Sequence, residues 1–199
     1  MAPSTLHGMI VTRNQMLFDK FLDFHLNTDY NAREAIGDDP DNIEDTDYGN
    51  NNVEGPSAGH GTFVSSLIAA NRENTVGIQG IAKSVQIMCL RAVPDGDEYD
   101  KDIALAIRYA VDNGANVINM SFGSQENTDA KDIGYRAAYD AGIVLVAASG
   151  NSGASKTIKY PARYPYTIAV GSVTESNNIA SYSQRGPELD VVAPGEGIY

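Results

Sequence analysis

One histidine of this 199-residue chain stands in a setting that suits acid–base chemistry. His60 lies between two glycines in the sequence GHGTFV (residues 59–64), at the start of a run of small residues that predicts a helix. The glycines leave the imidazole accessible, and a helix would hold it in place. A fixed histidine is the commonest general base in enzymes. Taken alone, the same pattern is more typical of a loop that simply precedes a helix.

Two further segments follow apolar runs and could contact a substrate. Asn151 stands in the sequence ASGNSG (residues 148–153), where its amide could donate to a developing oxyanion. A turn asparagine is the common alternative for such a position. Ser121, Phe122 and Gly123 follow another apolar run, and the glycine would let the backbone of a peptide lie close. A plain turn between strand and loop is the alternative there.

The elements that must position these residues alternate between strands and helices. Helical spacing of apolar residues predicts helices over residues 62–70, 101–113 and 129–139, and continuous apolar runs predict strands over residues 85–93, 117–120, 143–148, 167–173 and 189–193. Strands with almost no polar residues indicate a parallel sheet covered by helices on both faces. We therefore predict an α/β fold. Sites in such sheets form at the carboxyl ends of the strands, which would bring residues 121–123 and 149–153 to one edge.

Composition and charge exclude several classes of function. The net charge of −12 argues against binding the phosphate backbone of a nucleic acid, and no apolar run approaches the roughly 18 residues needed for membrane insertion. Neither GxGxxG nor GxxxxGK[ST] occurs, so a nucleotide-binding domain is not favoured. Cys89 is the only cysteine; it lies in an apolar run, where we expect it to be buried. The first residues do not resemble a signal peptide.

The composition changes near residue 57. Residues 1–56 are polar, with a dense acidic segment from Asp38 to Asp47, whereas residues 57–199 carry the predicted strands and helices. Oxygen ligands for calcium could come from the side chains of Asp45, Asp47, Asn50 and Asn51. The spacing does not fit an EF-hand loop, and a solvated acidic loop is the favoured interpretation. We expect no cofactor and no other metal.

Five segments, taken in chain order, resemble motifs of the subtilisin-like serine peptidases. The resemblance extends over roughly residues 56–199, and together the five motifs are specific although each alone is weak. The segments are residues 59–64 (GHGTFV), 119–123 (NMSFG), 147–153 (AASGNSG), 160–171 (YPARYPYTIAVG) and the run 181–195 that ends in VAPG. The resemblance implies a subtilisin-like α/β fold, of which this chain would hold only part.

The resemblance assigns a role to each candidate residue. It makes His60 the general base, Asn151 the side-chain donor of the oxyanion hole, and Ser121, Phe122 and Gly123 the segment that pairs with a polypeptide substrate as an added strand. Phe122 would favour apolar side chains at the substrate residue that supplies the scissile carbonyl. The family's habit is secretion, or a periplasmic or cell-surface location. Its matching loop also suggests a cis peptide bond before Pro161, although trans is the default from sequence.

Two motifs of the family are missing from the sequence. The aspartate of the triad would follow a buried strand, and neither Asp23 nor Asp45-Thr46-Asp47 has that setting, so we assign no aspartate. The nucleophile would stand in Gly-Thr-Ser-x-Ala about twenty residues beyond Gly195, and this motif does not occur. We therefore expect an inactive part of a serine endopeptidase, with residues 1–56 lying between the missing aspartate motif and His60. A pseudopeptidase or peptide-binding module without catalytic activity is the alternative.

Overall fold

Four parallel strands form the centre of the protein. The computed structural model describes residues 21–42, 44–55, 58–93, 98–153 and 157–198. The strands are β1 (Val117–Met120), β2 (Val144–Ala148), β3 (Ile168–Val173) and β4 (Val191–Pro194). They hydrogen-bond in the order β1-β2-β3-β4, with each neighbouring pair parallel. The helices are α1 (Gly59–Ala69), α2 (Asp100–Asp112) and α3 (Asp129–Asp140), preceded by one π-helical turn at Phe21–His25 and a 3₁₀ turn at Glu34–Ile36.

Helices α2 and α3 cover the sheet through a core of large apolar side chains. The two helices pack against each other, and α3 also contacts β2. Ile103 and Ile107 of α2 meet Tyr135 of α3 and Leu145 of β2 in one buried cluster. Helix α2 ends as the sequence predicts, because Gly114 adopts a φ of 76°, which an L residue rarely tolerates. The parallel α/β architecture is confirmed, and the last four predicted strands and all three helices lie within a few residues of their predicted bounds.

The predicted strand over residues 85–93 is wrong. This segment takes no part in the sheet, and β1, which would be its natural neighbour, pairs only with β2 in the described residues. An apolar run becomes a strand only when a partner satisfies its backbone N–H and C=O groups. Without that pairing residues 85–90 lie exposed to solvent and residues 91–93 are half-buried, so Cys89 is exposed instead of buried.

The acidic N-terminal region is fastened to helix α2 by buried ion pairs. Asp38 has a fully buried side chain that is ion-paired with Lys101, and Arg33 bonds Asp102. Tyr48 donates a hydrogen bond of 2.6 Å to the same Asp102 carboxylate. The solvated acidic loop is therefore a wrong prediction at Asp38, because a buried carboxylate needs a paired cation. Most of the other acidic residues up to Asp47 are exposed. The predicted change of region at residues 56 and 57 lies outside the described residues, as do residues 1–20.

Among the described residues, four tyrosines are held neutral by the fold and should make the protein sensitive to alkali. Burial is the main cause of the raised pKa of Tyr48, Tyr135, Tyr164 and Tyr166. For Tyr48 and Tyr166 a hydrogen bond to a carboxylate raises the pKa further. Phenols of the unfolded chain titrate near a pKa of about 10. Because the folded state holds these protons more tightly, stability is complete below that pH and falls as the pH rises above it.

The predicted loss of stability at high pH can be tested by two measurements over the same pH range. Near-ultraviolet absorbance follows the ionisation of the tyrosines, and urea unfolding gives the free energy of unfolding. We expect four tyrosines to ionise only as the protein unfolds. Ionisation of all eleven near pH 10, with no loss in the free energy of unfolding, would contradict the expectation.

Candidate active site

His60 lies on the first turn of α1 and faces the segment that follows β1. Its imidazole is exposed, and Nε2 lies 3.2 Å from the carbonyl oxygen of Ser121. A side chain at Gly59 or Gly61 would meet open space, so these glycines keep the surroundings of the ring clear and are not demanded by packing. No carboxylate hydrogen-bonds the ring in the described part of the chain. The structure thus brings two of the predicted segments, residues 59–64 and 119–123, into direct contact.

Residues 121–123 continue β1 beyond the sheet and are anchored on one side. The bridge just beyond them joins Ser124 to Tyr160, which exchange backbone hydrogen bonds of 3.0 and 2.9 Å. A Cβ on Gly123 would lie 2.9 Å from the Tyr160 carbonyl oxygen, so glycine is needed for this close approach. No described residue hydrogen-bonds the backbone N–H or C=O of Phe122 or Gly123. These groups are available to an added strand, and their pairing with a substrate stays a prediction.

Phe122 lies on the side of its segment that faces helices α2 and α3. Its side chain packs partly against the core. Together with Ile103 of α2 and Tyr135 of α3 it lines an open hollow of about 220 Å³, a volume that includes the solvent at its mouth. Neighbouring residues of an extended segment point to opposite sides. The side of the segment toward which Gly123 is directed is therefore free of the phenyl ring.

Asn151 stands at the carboxyl end of β2, in the loop of residues 149–153. Because β1 and β2 are neighbouring parallel strands with Met120 opposite Ala147, this loop and residues 121–123 share one edge of the sheet. Ser149 fixes the start of the loop: its N–H donates to Val170 of β3 at 2.9 Å. The Asn151 side chain is exposed, and no described residue hydrogen-bonds its carboxamide. The amide is free to donate to a ligand at this edge.

Sequence reasoning missed Gln184, which braces the Asn151 loop from behind. The side chain is fully buried. Its carboxamide oxygen accepts from the Ser152 N–H at 3.2 Å, its NH₂ donates to the Thr157 carbonyl oxygen, and its backbone N–H donates to the Gly150 carbonyl oxygen at 3.0 Å. Nothing in the sequence marks this residue, because a glutamine among polar residues ordinarily predicts an exposed position.

Gly150 contacts the Gln184 carboxamide and leaves it the space that it needs. Its φ of 113° lies in a region that L residues rarely adopt. A Cβ there would lie 2.7 Å from Gln184 Cδ and closer still to Oε1. The loop therefore depends on a residue without a side chain at position 150 and a buried carboxamide at position 184.

The peptide bond before Pro161 is cis, as the resemblance suggested. It lies in the loop that pairs with Ser124. The described residues include no group of three or more His, Cys, Asp or Glu side chains that could hold a metal ion. Calcium binding by Asp45, Asp47, Asn50 and Asn51 remains a prediction.

Comparisons with known proteins agree with this arrangement. The model of the Subtilase family matches residues 11–198. Subtilisin DY of Bacillus licheniformis is 43% identical over 145 residues, which cover 71% of this chain and 53% of that protein. The solved protease domain of PatA, in a mutant form, superposes with a TM-score of 0.65 at 29% identity, over 72% of this chain and 55% of that one.

A second solved structure gives the same result. The psychrophilic subtilisin-like protease Apa1 of the Antarctic psychrotroph Pseudoalteromonas sp. AS-11 matches with a TM-score of 0.63 at 32% identity, over 69% of this chain and 32% of that one. The chain thus spans about half the length of subtilisin DY and a third of Apa1. Since the family model matches nearly every residue, the chain belongs to the subtilase family, peptidase family S8.

Proposed function

We propose that the protein containing this sequence is a serine endopeptidase that hydrolyses peptide bonds in polypeptide substrates. The observation that carries the proposal is the contact between His60 and the Ser121 carbonyl oxygen, next to the Asn151 loop. With His60 as the proposed base and Asn151 as the proposed amide donor, both groups lie beside a free strand edge at one end of a parallel sheet. Acyl transfer to a hydroxyl nucleophile needs these three groups in addition to the nucleophile itself.

The proposed reaction follows from the roles of these groups. A serine hydroxyl gives its proton to His60 Nε2 as its oxygen attacks the scissile carbonyl. The oxyanion accepts a hydrogen bond from the Asn151 carboxamide, and His60 then gives the proton to the leaving amine. A water molecule then takes the place of the serine hydroxyl: it gives a proton to His60 and attacks the acyl-enzyme. His60 returns the proton to the serine oxygen, which restores the serine. The proposed reaction also requires a nucleophilic serine and an aspartate that orients His60, and neither is assigned to a residue of this sequence.

Activity of the complete reading frame that contains this sequence tests the proposal. We expect it to release p-nitroaniline from a peptide p-nitroanilide and to be inactivated by phenylmethylsulfonyl fluoride, with one adduct on a serine found by mass spectrometry. The chain of residues 1–199 by itself should do neither. A complete protein that forms no adduct and cleaves no peptide would contradict the proposal.

A peptide-binding module without catalytic activity is the second candidate. It is favoured by the lack of a carboxylate that hydrogen-bonds His60 in the described residues. Such a module would bind a peptide along residues 121–123 and release no product. Binding without hydrolysis in the complete protein would favour this candidate over the peptidase.

We further propose that the protein acts outside the cytoplasm, as the family's habit suggests. Within the described ranges, every helix is too short or too polar to cross a bilayer. Fractionation of the producing cells, with activity followed in each fraction, tests the location. Activity found only in the cytoplasm would contradict it.

A further inference from the structure

Lys159 connects the two segments that face a substrate. Its backbone N–H donates to the Ser149 carbonyl oxygen at 3.1 Å, at the start of the Asn151 loop. The next residue, Tyr160, pairs with Ser124 just beyond residues 121–123. Lys159 is therefore held in place between the ends of β1 and β2 by the backbone on both sides.

The stem of the Lys159 side chain runs between two glycines. A Cβ on Gly123 would lie 3.1 Å from Lys159 Cβ and 3.5 Å from its Cδ. A Cβ on Gly150 would lie 3.2 Å from the same Cδ. The half-buried stem thus occupies space that side chains at positions 123 and 150 would otherwise take, and it lines the gap between the peptide-binding segment and the oxyanion loop.

The ammonium group of Lys159 has no acidic partner among the described residues. Two other lysines with mostly buried side chains are each paired with a carboxylate: Lys101 with Asp38, and Lys131 with Asp100 at 2.7 Å. A packed stem with an uncompensated ammonium group is unusual in a chain with a net charge of −12. A ligand carboxylate that entered the gap would supply the missing partner, and a charge-assisted hydrogen bond of this kind is among the stronger ones.

The gap is where the side chain of the substrate residue that precedes the scissile bond would lie. A peptide paired with residues 121–123, with its scissile carbonyl beside Asn151, places the residue that supplies this carbonyl between Gly123 and Gly150. The apolar preference predicted from Phe122 is not tested by the structure, in which that ring packs partly against the core. The Cβ and Cδ atoms of Lys159 line the gap.

We propose that Lys159 determines specificity and directs cleavage to peptide bonds that follow a glutamate or aspartate. This inference rests on the proposed peptidase function. The stem of Lys159 contacts the side chain of the substrate residue, and the ammonium group pairs with its carboxylate. An uncharged glutamine of the same shape would leave the ammonium group without a counter-charge.

The test compares two tetrapeptide p-nitroanilides that differ only in glutamate or glutamine before the scissile bond. The complete enzyme should show a kcat/KM at least tenfold higher for the glutamate substrate. Lys159→Met keeps most of the stem and should remove this difference, whereas Lys159→Glu should reverse it in favour of a lysine substrate. Lys83→Met removes the same charge from an exposed lysine and is the matched control, which should keep the wild-type preference. Equal kcat/KM for glutamate and glutamine in the wild-type enzyme would overturn the proposal.

A binding measurement separates this proposal from the proposed function. Peptides that end in glutamate or glutamine correspond to the amino-terminal products and need no catalysis. If the protein cleaves nothing, calorimetry should still show tighter binding of the glutamate peptide, by tenfold or more, and Lys159→Met should abolish the difference. The wild-type comparison needs no variant, so it decides even if Lys159→Met fails to fold. Equal binding of the two peptides would overturn the role of Lys159, whatever the activity.

Discussion

Replacing His60 by alanine in the complete enzyme is expected to lower kcat by roughly a millionfold, a magnitude taken from the equivalent change in a subtilisin. Without the imidazole, nothing takes the proton from the serine hydroxyl or returns it to the leaving amine. KM should stay within about threefold, because the strand edge and Asn151 still hold the substrate. Steady-state hydrolysis of a peptide p-nitroanilide measures both constants.

Folding is not expected to change in His60→Ala. The side chain is exposed and makes one hydrogen bond, so its removal should alter the free energy of unfolding by less than about 1 kcal/mol. Thr62→Ala, on the same helical turn and also exposed, is the matched control and should keep nearly full activity. A His60→Ala enzyme with more than about a hundredth of wild-type kcat would show that another group acts as the base.

The sheet was predictable because each of its strands is apolar almost throughout. Strands β1 to β4 and all three helices follow from patterns that operate over a few residues, and these patterns match the structure. Residues 85–93 have the same apolar character and still form no strand, since pairing depends on a neighbour that local sequence does not reveal. Cys89 is exposed for the same reason.

Some residues of the candidate site can also be predicted from the sequence, and others cannot. His60, Asn151 and residues 121–123 belong to short motifs, so the sequence could name them before any geometry was known. Gln184 and Lys159 carry no such signal, because their roles come from contacts with segments distant in the chain. Only the fold shows that one braces the Asn151 loop and the other lies between two glycines. The sequence does not show that Asp38 is buried, because its partner Lys101 comes from helix α2, far along the chain.

Replacing Gly150 by alanine is expected to destabilise the protein by roughly 3 kcal/mol and to lower kcat as well. Positive φ costs an L residue about 1–2 kcal/mol, and the new Cβ would displace the buried Gln184 carboxamide from its hydrogen bonds. The displaced loop would misplace Asn151. Loss of the equivalent donor in a subtilisin costs about a hundred- to a thousandfold in kcat, so we expect a loss of that order. Urea unfolding and steady-state kinetics measure the two effects.

A double-mutant cycle separates the two causes of this loss. Gln184→Ala removes the carboxamide that the new Cβ would strike, so the Gly150→Ala, Gln184→Ala pair keeps the backbone strain but loses the clash. We expect the pair to be less destabilised than the sum of the single changes, by about 1 kcal/mol or more. Gln125→Ala is the matched control, because Gln125 also contacts Thr157, at 3.4 Å, but is exposed. If the changes in the free energy of unfolding were additive, the effect of Gly150→Ala would come from backbone strain alone, and Gln184 would not brace the loop.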